Sequence, residues 1–210
     1  MSTSTTNVPA PAARQQNPQK VVFWAVLFLM ALSVLVLSEL PMLSPSHPLH
    51  AHLINIHRLL IPHAITGALA LLIGPLQFST RLRRRNLRLH RTLGRIYVYS
   101  VFLAAPLAVI IAWRLPLIVG TVVQAAAWWI TTLAAFLTAR NRHLQAHRQW
   151  MIRSYAVTFT FITLRVLNPL PSYRAISDAA YVPVIVLVTM LSVFLPDIAF
   201  NWRELTTRRT

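Results

Sequence analysis

Residues 63–95 read HAITGALALLIGPLQFSTRLRRRNLRLHRTLGR. An apolar run ends at Phe78, a dense arginine loop follows, and a second apolar run begins just after His90. His63, Gly67, Ala70, Gly74 and Gln77 recur at steps of three and four, so on a helix they share one face. That face is small in its middle and polar at both ends, while the remaining faces are Leu, Ile and Ala. In lipid, small residues mark the close approach of a neighbouring helix, and polar residues mark what must be kept from hydrocarbon.

Composition extends this reading to the whole chain. Of 210 residues, 56% are hydrophobic and 11% charged, and the mean hydropathy is +0.56. A soluble domain carries about 25% charged residues. The sequence therefore predicts an all-α, multi-pass membrane protein with no room for a large soluble module. Twenty basic residues face four acids (Glu39, Asp178, Asp197, Glu204), a formal charge of +16, and Lys20 is the one lysine. Such a balance in a soluble protein would point to nucleic acid. Here the arginines cluster between apolar runs, which the positive-inside rule explains without a nucleic-acid partner. The absence of cysteine removes disulfides, thiolate metal sites and a Cys nucleophile. No Ser nucleophile motif, phosphate loop or HExxH zinc motif is present.

Six spans follow from the apolar runs. Residues 1–19 form a disordered tail. The run 21–40 is longer than the ~7–15 residue core of a secretory signal and is read as a retained, peripheral first span. The second span covers about Pro62–Phe78, with Pro62 placed in the first turn. The third covers Leu93–Trp113 and the fourth Pro116–Thr138. The fifth ends near Asn168, and the sixth covers Tyr181–Ala199, before a short basic tail at 201–210. Six crossings put both termini and both arginine-rich loops (Arg81–Arg91 and Arg140–Arg148) on one side, which the positive-inside rule assigns to the cytoplasm of a bacterial inner membrane.

The third span opens HRTLGRIY and the fifth HRQWMIRSY. This repeat predicts that spans two to five form two similar hairpins packed as a four-helix core. The inner faces are expected to be His90, Gly94, Tyr97, Ala104 and Ala108; then Gln124, Thr131, Ala135 and Thr138; then His147, Ser154, Thr158 and Arg165, with Tyr155 at the edge. At ~1.5 Å rise per residue, Gln77, His90, Arg91, Tyr97, His147, Arg148, Arg153 and Tyr155 gather at the cytoplasmic end. His63 and Arg165 lie near the other end.

Three chemistries fit these residues. His90 and His147, at matched positions, could ligate one b-type haem iron axially, with Arg91 and Arg148 on its propionates. That would suit electron exchange with a membrane quinone. Alternatively, the arginines clamp the headgroup of an anionic, lipid-like ligand, or they serve as interfacial anchors of an accessory protein without a small ligand. Arg165 either snorkels to the surface or faces the bundle. In the loop after the first span, His47, His50, His52 and His57 are candidate Zn or Cu ligands, although an exposed His-rich loop accounts for them better, since no recognised metal spacing is present.

Three blocks, HAITGALALLIGPLQF, LHRTLGRIYVYS and HRQWMIRSYAVTFTFITLR, resemble the bacterial membrane-protein family catalogued as domain of unknown function 2306. The resemblance spans His63 to Arg165. It implies a multi-pass membrane protein without an established activity. Its motif positions fall on His63, Gln77, His90, Arg91, Gly94, Tyr97, His147, Met151, Arg153, Tyr155 and Arg165. After Arg165 the chain, ending its last span FLPDIAFNW, departs from the pattern.

Overall fold

The computed structural model describes residues 18–39, 44, 56–167 and 177–206. These residues form seven α-helices: α1 (Pro18–Val34), α2 (His57–Gln77), α3 (Thr80–Arg85), α4 (Leu87–Ala112), α5 (Ile118–Arg140), α6 (Leu144–Leu167) and α7 (Asp178–Thr206). A π-helical turn, Leu35–Glu39, continues α1. No strand occurs among the described residues. Four stretches are long and apolar enough to cross a membrane: α2, α4, α5 and Ala180–Trp202 of α7. The apolar part of α1 is shorter, Trp24–Leu37.

The helices α2, α4, α5 and α6 close a ring, each packed on the next and α6 returning to α2. Outside it, α1 lies against α2 and α6, and α7 against α5 and α6. Neighbours run antiparallel. His63 of α2 meets Ala104 of α4, and Gln77 meets Gly94. Gln124, Trp128, Thr132 and Ala135 of α5 meet Thr160, Thr158, Ser154 and His147 of α6 in turn.

Helix α6 is the helix the others surround. It is not among the four most apolar stretches, yet eight of its residues are buried. The two facts share a cause: a helix enclosed by other helices needs little lipid-compatible surface, so it can carry Ser154, Thr158 and Thr160 where neighbours satisfy them.

The small face of α2 does what its composition suggested at one glycine and not at the other. A Cβ on Gly74 would lie 2.1 Å from Cδ2 of Tyr155, whereas a Cβ on Gly67 would meet nothing within 4 Å. Tyr155, expected at an edge, is a core residue, 7% exposed, packed with Ala70, Ile73, Tyr97, Val101, Ala135 and Met151. Pro75 explains its polar end. A proline has no N–H to return to the carbonyl four residues back, which frees the oxygen of Leu71, and the Tyr155 hydroxyl donates to that oxygen at 3.3 Å. Pro62 was expected in the first turn. Helix α2 begins five residues earlier, at His57, so Pro62 lies inside it.

The arginine loop is helical in part. The Ser79 hydroxyl accepts from the Leu82 amide and caps α3, and Asn86 Oδ1 accepts from the Leu89 amide and caps α4. Side-chain caps at both positions let two helices start within eight residues of each other. The third span therefore begins at Leu87 rather than Leu93, and His90 and Arg91 sit on the helix itself. At the turn between α5 and α6, the amide of His143 reaches back to Thr138 O at 2.9 Å. This pattern puts Arg142 in the left-handed region, at φ 62°, a place usually given to glycine or asparagine.

Candidate functional site

Four of the expected site residues meet at the arginine-rich end. Gln77 is the last residue of α2. Its Oε1 lies against Gly94, where a Cβ would come within 3.2 Å. His90 is four residues before Gly94, hence one turn away on the same face of α4. It lies within electrostatic reach of Arg83, His147 and Arg91. The opening turns of α4 and α6 thus bring His90 and His147 near each other.

His147 is fixed by a second bond. Its Nδ1 stands 2.8 Å from the carbonyl of Ala135. A carbonyl only accepts, so Nδ1 carries a proton and donates it, which leaves Nε2 as the ring atom turned away from the bond. His63 makes the same kind of bond near the other end of α2, from Nδ1 to Ala104 O at 2.9 Å. Gln77 and His90 differ from both. Gln77 Nε2 and His90 Nδ1 are the two buried side-chain polar atoms, among the described residues, that have no hydrogen-bond partner. Buried polar atoms in folded proteins are nearly always paired, so two exceptions on facing helices in one neighbourhood mark the place.

Deeper in the bundle, a hydroxyl cluster joins α4, α5 and α6. The Tyr97 hydroxyl, fully buried, is 2.8 Å from both Ser154 Oγ and Thr158 Oγ1. Thr132 Oγ1 is 2.7 Å from Ser154 Oγ, Trp128 Nε1 donates to Thr158 Oγ1 at 2.8 Å, and Thr158 Oγ1 donates to the Ser154 carbonyl at 2.9 Å. One proton order satisfies every member: Thr132 donates to Ser154, Ser154 to Tyr97, Tyr97 to Thr158, and Thr158 to the carbonyl. A closed set of this kind specifies which helix faces meet. Tyr97→Phe should therefore cost about 1–2 kcal/mol of stability, because it strands Ser154. Thermal unfolding in detergent checks this; an unchanged transition would show that the cluster contributes nothing.

The remaining expected residues lie apart. Arg91 and Arg148 are exposed. The Arg165 guanidinium lies over the Phe161 ring, 5.1 Å from its centroid, one turn back on the same helix. Arg153 forms an ion pair with Asp197 of α7, and its guanidinium sits 4.7 Å from the Trp150 ring centroid and 5.6 Å from that of Phe200. Asp197 is thus a site residue that sequence reasoning missed. The available signal was that one carboxylate inside an apolar stretch needs a cation from a neighbouring helix. Thr132, rather than the expected Thr131, faces the cluster, since Thr131 bonds back to Ala127 O within its own helix.

His57 begins α2; His47, His50 and His52 lie outside the described residues, where the metal-ligand expectation also mostly falls. Among the described residues no three His, Cys, Asp or Glu side chains gather as metal ligands. An open depression of about 400 Å³ lies at the turn between α5 and α6, lined by His143, Leu144, Gln145, Ala146 and Gln149; neither His90 nor His147 lines it.

Long apolar helices, prolines tolerated within them, and polar side chains turned towards other helices define an integral membrane protein of the multi-pass helical class. The chain belongs to the predicted membrane protein family DUF2306, whose model matches residues 60–201. The match continues past Arg165 into α7, as far as residue 201, and takes in Asp197, so the last apolar stretch belongs to the family pattern. No curated protein and no solved structure matches the chain.

Proposed function

We propose that this is a six-crossing protein of the bacterial inner membrane, with α1 and α6 completing the count and both termini cytoplasmic. In this reading the pairs α2–α4 and α5–α6 are two similar hairpins, and the arginine-rich end binds an anionic, lipid-like ligand. The observation that carries it is a mismatch of charge. Arg81, Arg83, Arg84, Arg85, Arg88, Arg91 and Arg95 are all exposed, and the single ion pair among the described residues uses Arg153 and Asp197 instead. Each arginine near a membrane surface gains about 1 kcal/mol from anionic headgroups, and these seven arginines outnumber the four acids of the whole chain. The buried, unpartnered Gln77 Nε2 and His90 Nδ1, at the same end, give that charge a point of entry.

A second reading, haem b with electron exchange to a quinone, is favoured by His147. Its Nδ1–H bond to a backbone carbonyl is the arrangement that orients an imidazole for ligation through Nε2, and His90 is its neighbour. One preparation tests both. The protein purified in mild detergent, from cells supplied with haem, should retain an anionic amphiphile detectable by native mass spectrometry. The variant R83A/R91A should lose it. Retention of zwitterionic lipid alone would remove the first reading, and a spectrum without a Soret band would remove the second.

A further inference from the structure

Gln77 Nε2 and His90 Nδ1 are buried and unpartnered on facing helices, at the end where Arg83, Arg84, Arg85, Arg88 and Arg91 are exposed. The groups at this place are the Gln77 amide and the His90 imidazole, with exposed arginines of α3 and α4 near them in the chain. No carboxylate is among them: Asp197, the one carboxylate whose side chain is described, is held by Arg153. An amide donor and an imidazole at an arginine-rich helix end are matched by an acceptor-only, multiply charged group. Gly94 leaves the Gln77 amide just enough room, since a Cβ there would stand 3.2 Å from Oε1. The outer sides of α2 and α4 expose apolar residues, including Leu72, Leu76 and Leu89, on which an alkyl tail can lie.

We infer that Gln77 and His90 form a headgroup site for a phosphate monoester carried on an alkyl chain, with Gly94 setting the space for the amide. The inference rests on the anionic-amphiphile reading above and adds to it the headgroup and the residues that bind it. A polar atom buried without a partner lowers stability. Gln77 therefore has the signature of a residue kept for binding, and replacing it with an apolar side chain of similar shape separates the two roles.

The test uses the full chain in maltoside micelles, titrated with dodecyl phosphate, inorganic phosphate and dodecanoate. Trp24 is the reporter, because its ring stacks on Phe78, the residue after Gln77, with centroids 5.6 Å apart. Dodecyl phosphate should bind more tightly than inorganic phosphate, which lacks the tail, and than dodecanoate, which carries one charge. Gln77→Met should weaken dodecyl phosphate about tenfold while leaving the melting temperature equal or higher. Gly94→Ala should weaken it as well. Unchanged binding in Gln77→Met, or a lower melting temperature with binding intact, overturns the site. Equal binding of dodecanoate overturns the phosphate assignment. The two levels fail separately. If R83A/R91A binds as the wild type does, the headgroup reading falls; if only Gln77→Met is silent, the reading stands and the inner site does not.

Discussion

Gly74→Ala should destabilise the protein by about 2 kcal/mol. Overpacking a tight interface costs up to about 3 kcal/mol, and removing a glycine from a helix interior returns roughly 1. The new methyl would stand 2.1 and 2.2 Å from Cδ2 and Cε2 of Tyr155, so something must move. The ring has little freedom to do so. Its edge meets Phe78 at a centroid distance of 5.8 Å, Phe159 lies at 6.4 Å, and its hydroxyl reaches Leu71 O. Chemical or thermal unfolding in detergent measures the loss. The double variant Gly74→Ala with Tyr155→Ala should cost less than the sum of the two single changes, because the clash exists only when both groups are present. Additive costs would mean that α2 and α6 do not meet here.

Asp197→Ala should cost about 2–3 kcal/mol, the scale of an uncompensated charge within a membrane helix. Arg153 is 12% exposed at its side chain and Asp197 37%. Loss of the carboxylate leaves a largely enclosed guanidinium with two aromatic rings for company, and these offset only part of the cost. Replacing both members, Arg153→Met with Asp197→Leu, should restore most of the stability, since an apolar pair can stand in for a buried ion pair. The same unfolding measurement decides it: a single variant as stable as the wild type would show that solvent already screens the pair. Because α7 packs chiefly on α5 and α6, the loss should loosen α7 ahead of the ring.

Helix positions were legible because apolar length and arginine-rich ends are local properties. The facing of Ala70, Gly74 and Gln77 was legible because period 3.6 fixes which residues share a side. The partner across that side was not, since periodicity gives a face and not the helix that meets it. Tyr155 reads as an edge residue for that reason, and Thr131 reads as inward-facing where Thr132 is the one that meets Ser154. The pairing of Arg153 with Asp197 spans 44 positions, a separation at which sequence spacing carries no geometric information. The nearness of His90 and His147 could be anticipated from the repeated His-Arg openings. That Gln77 Nε2 and His90 Nδ1 would be left without partners depends on the backbone approach at Gly94, which no spacing rule contains.

The position of α6 bears on how the chain enters the bilayer. A segment holding Arg148, Arg153, Ser154, Thr158, Thr160 and Arg165 is less apolar than the four stretches long and apolar enough to cross a membrane, and Tyr97, Thr132, Trp128, Gln124 and Asp197 of other helices pair with its polar groups. It gains from leaving the translocon alongside α5, whose Thr132, Trp128 and Gln124 cover it at once. Its ion pair waits for Asp197, more than forty residues later in synthesis. Assembly of this bundle is thus cooperative in time: its middle is the part least able to insert alone, and α7, made after it, brings the carboxylate that pairs with it.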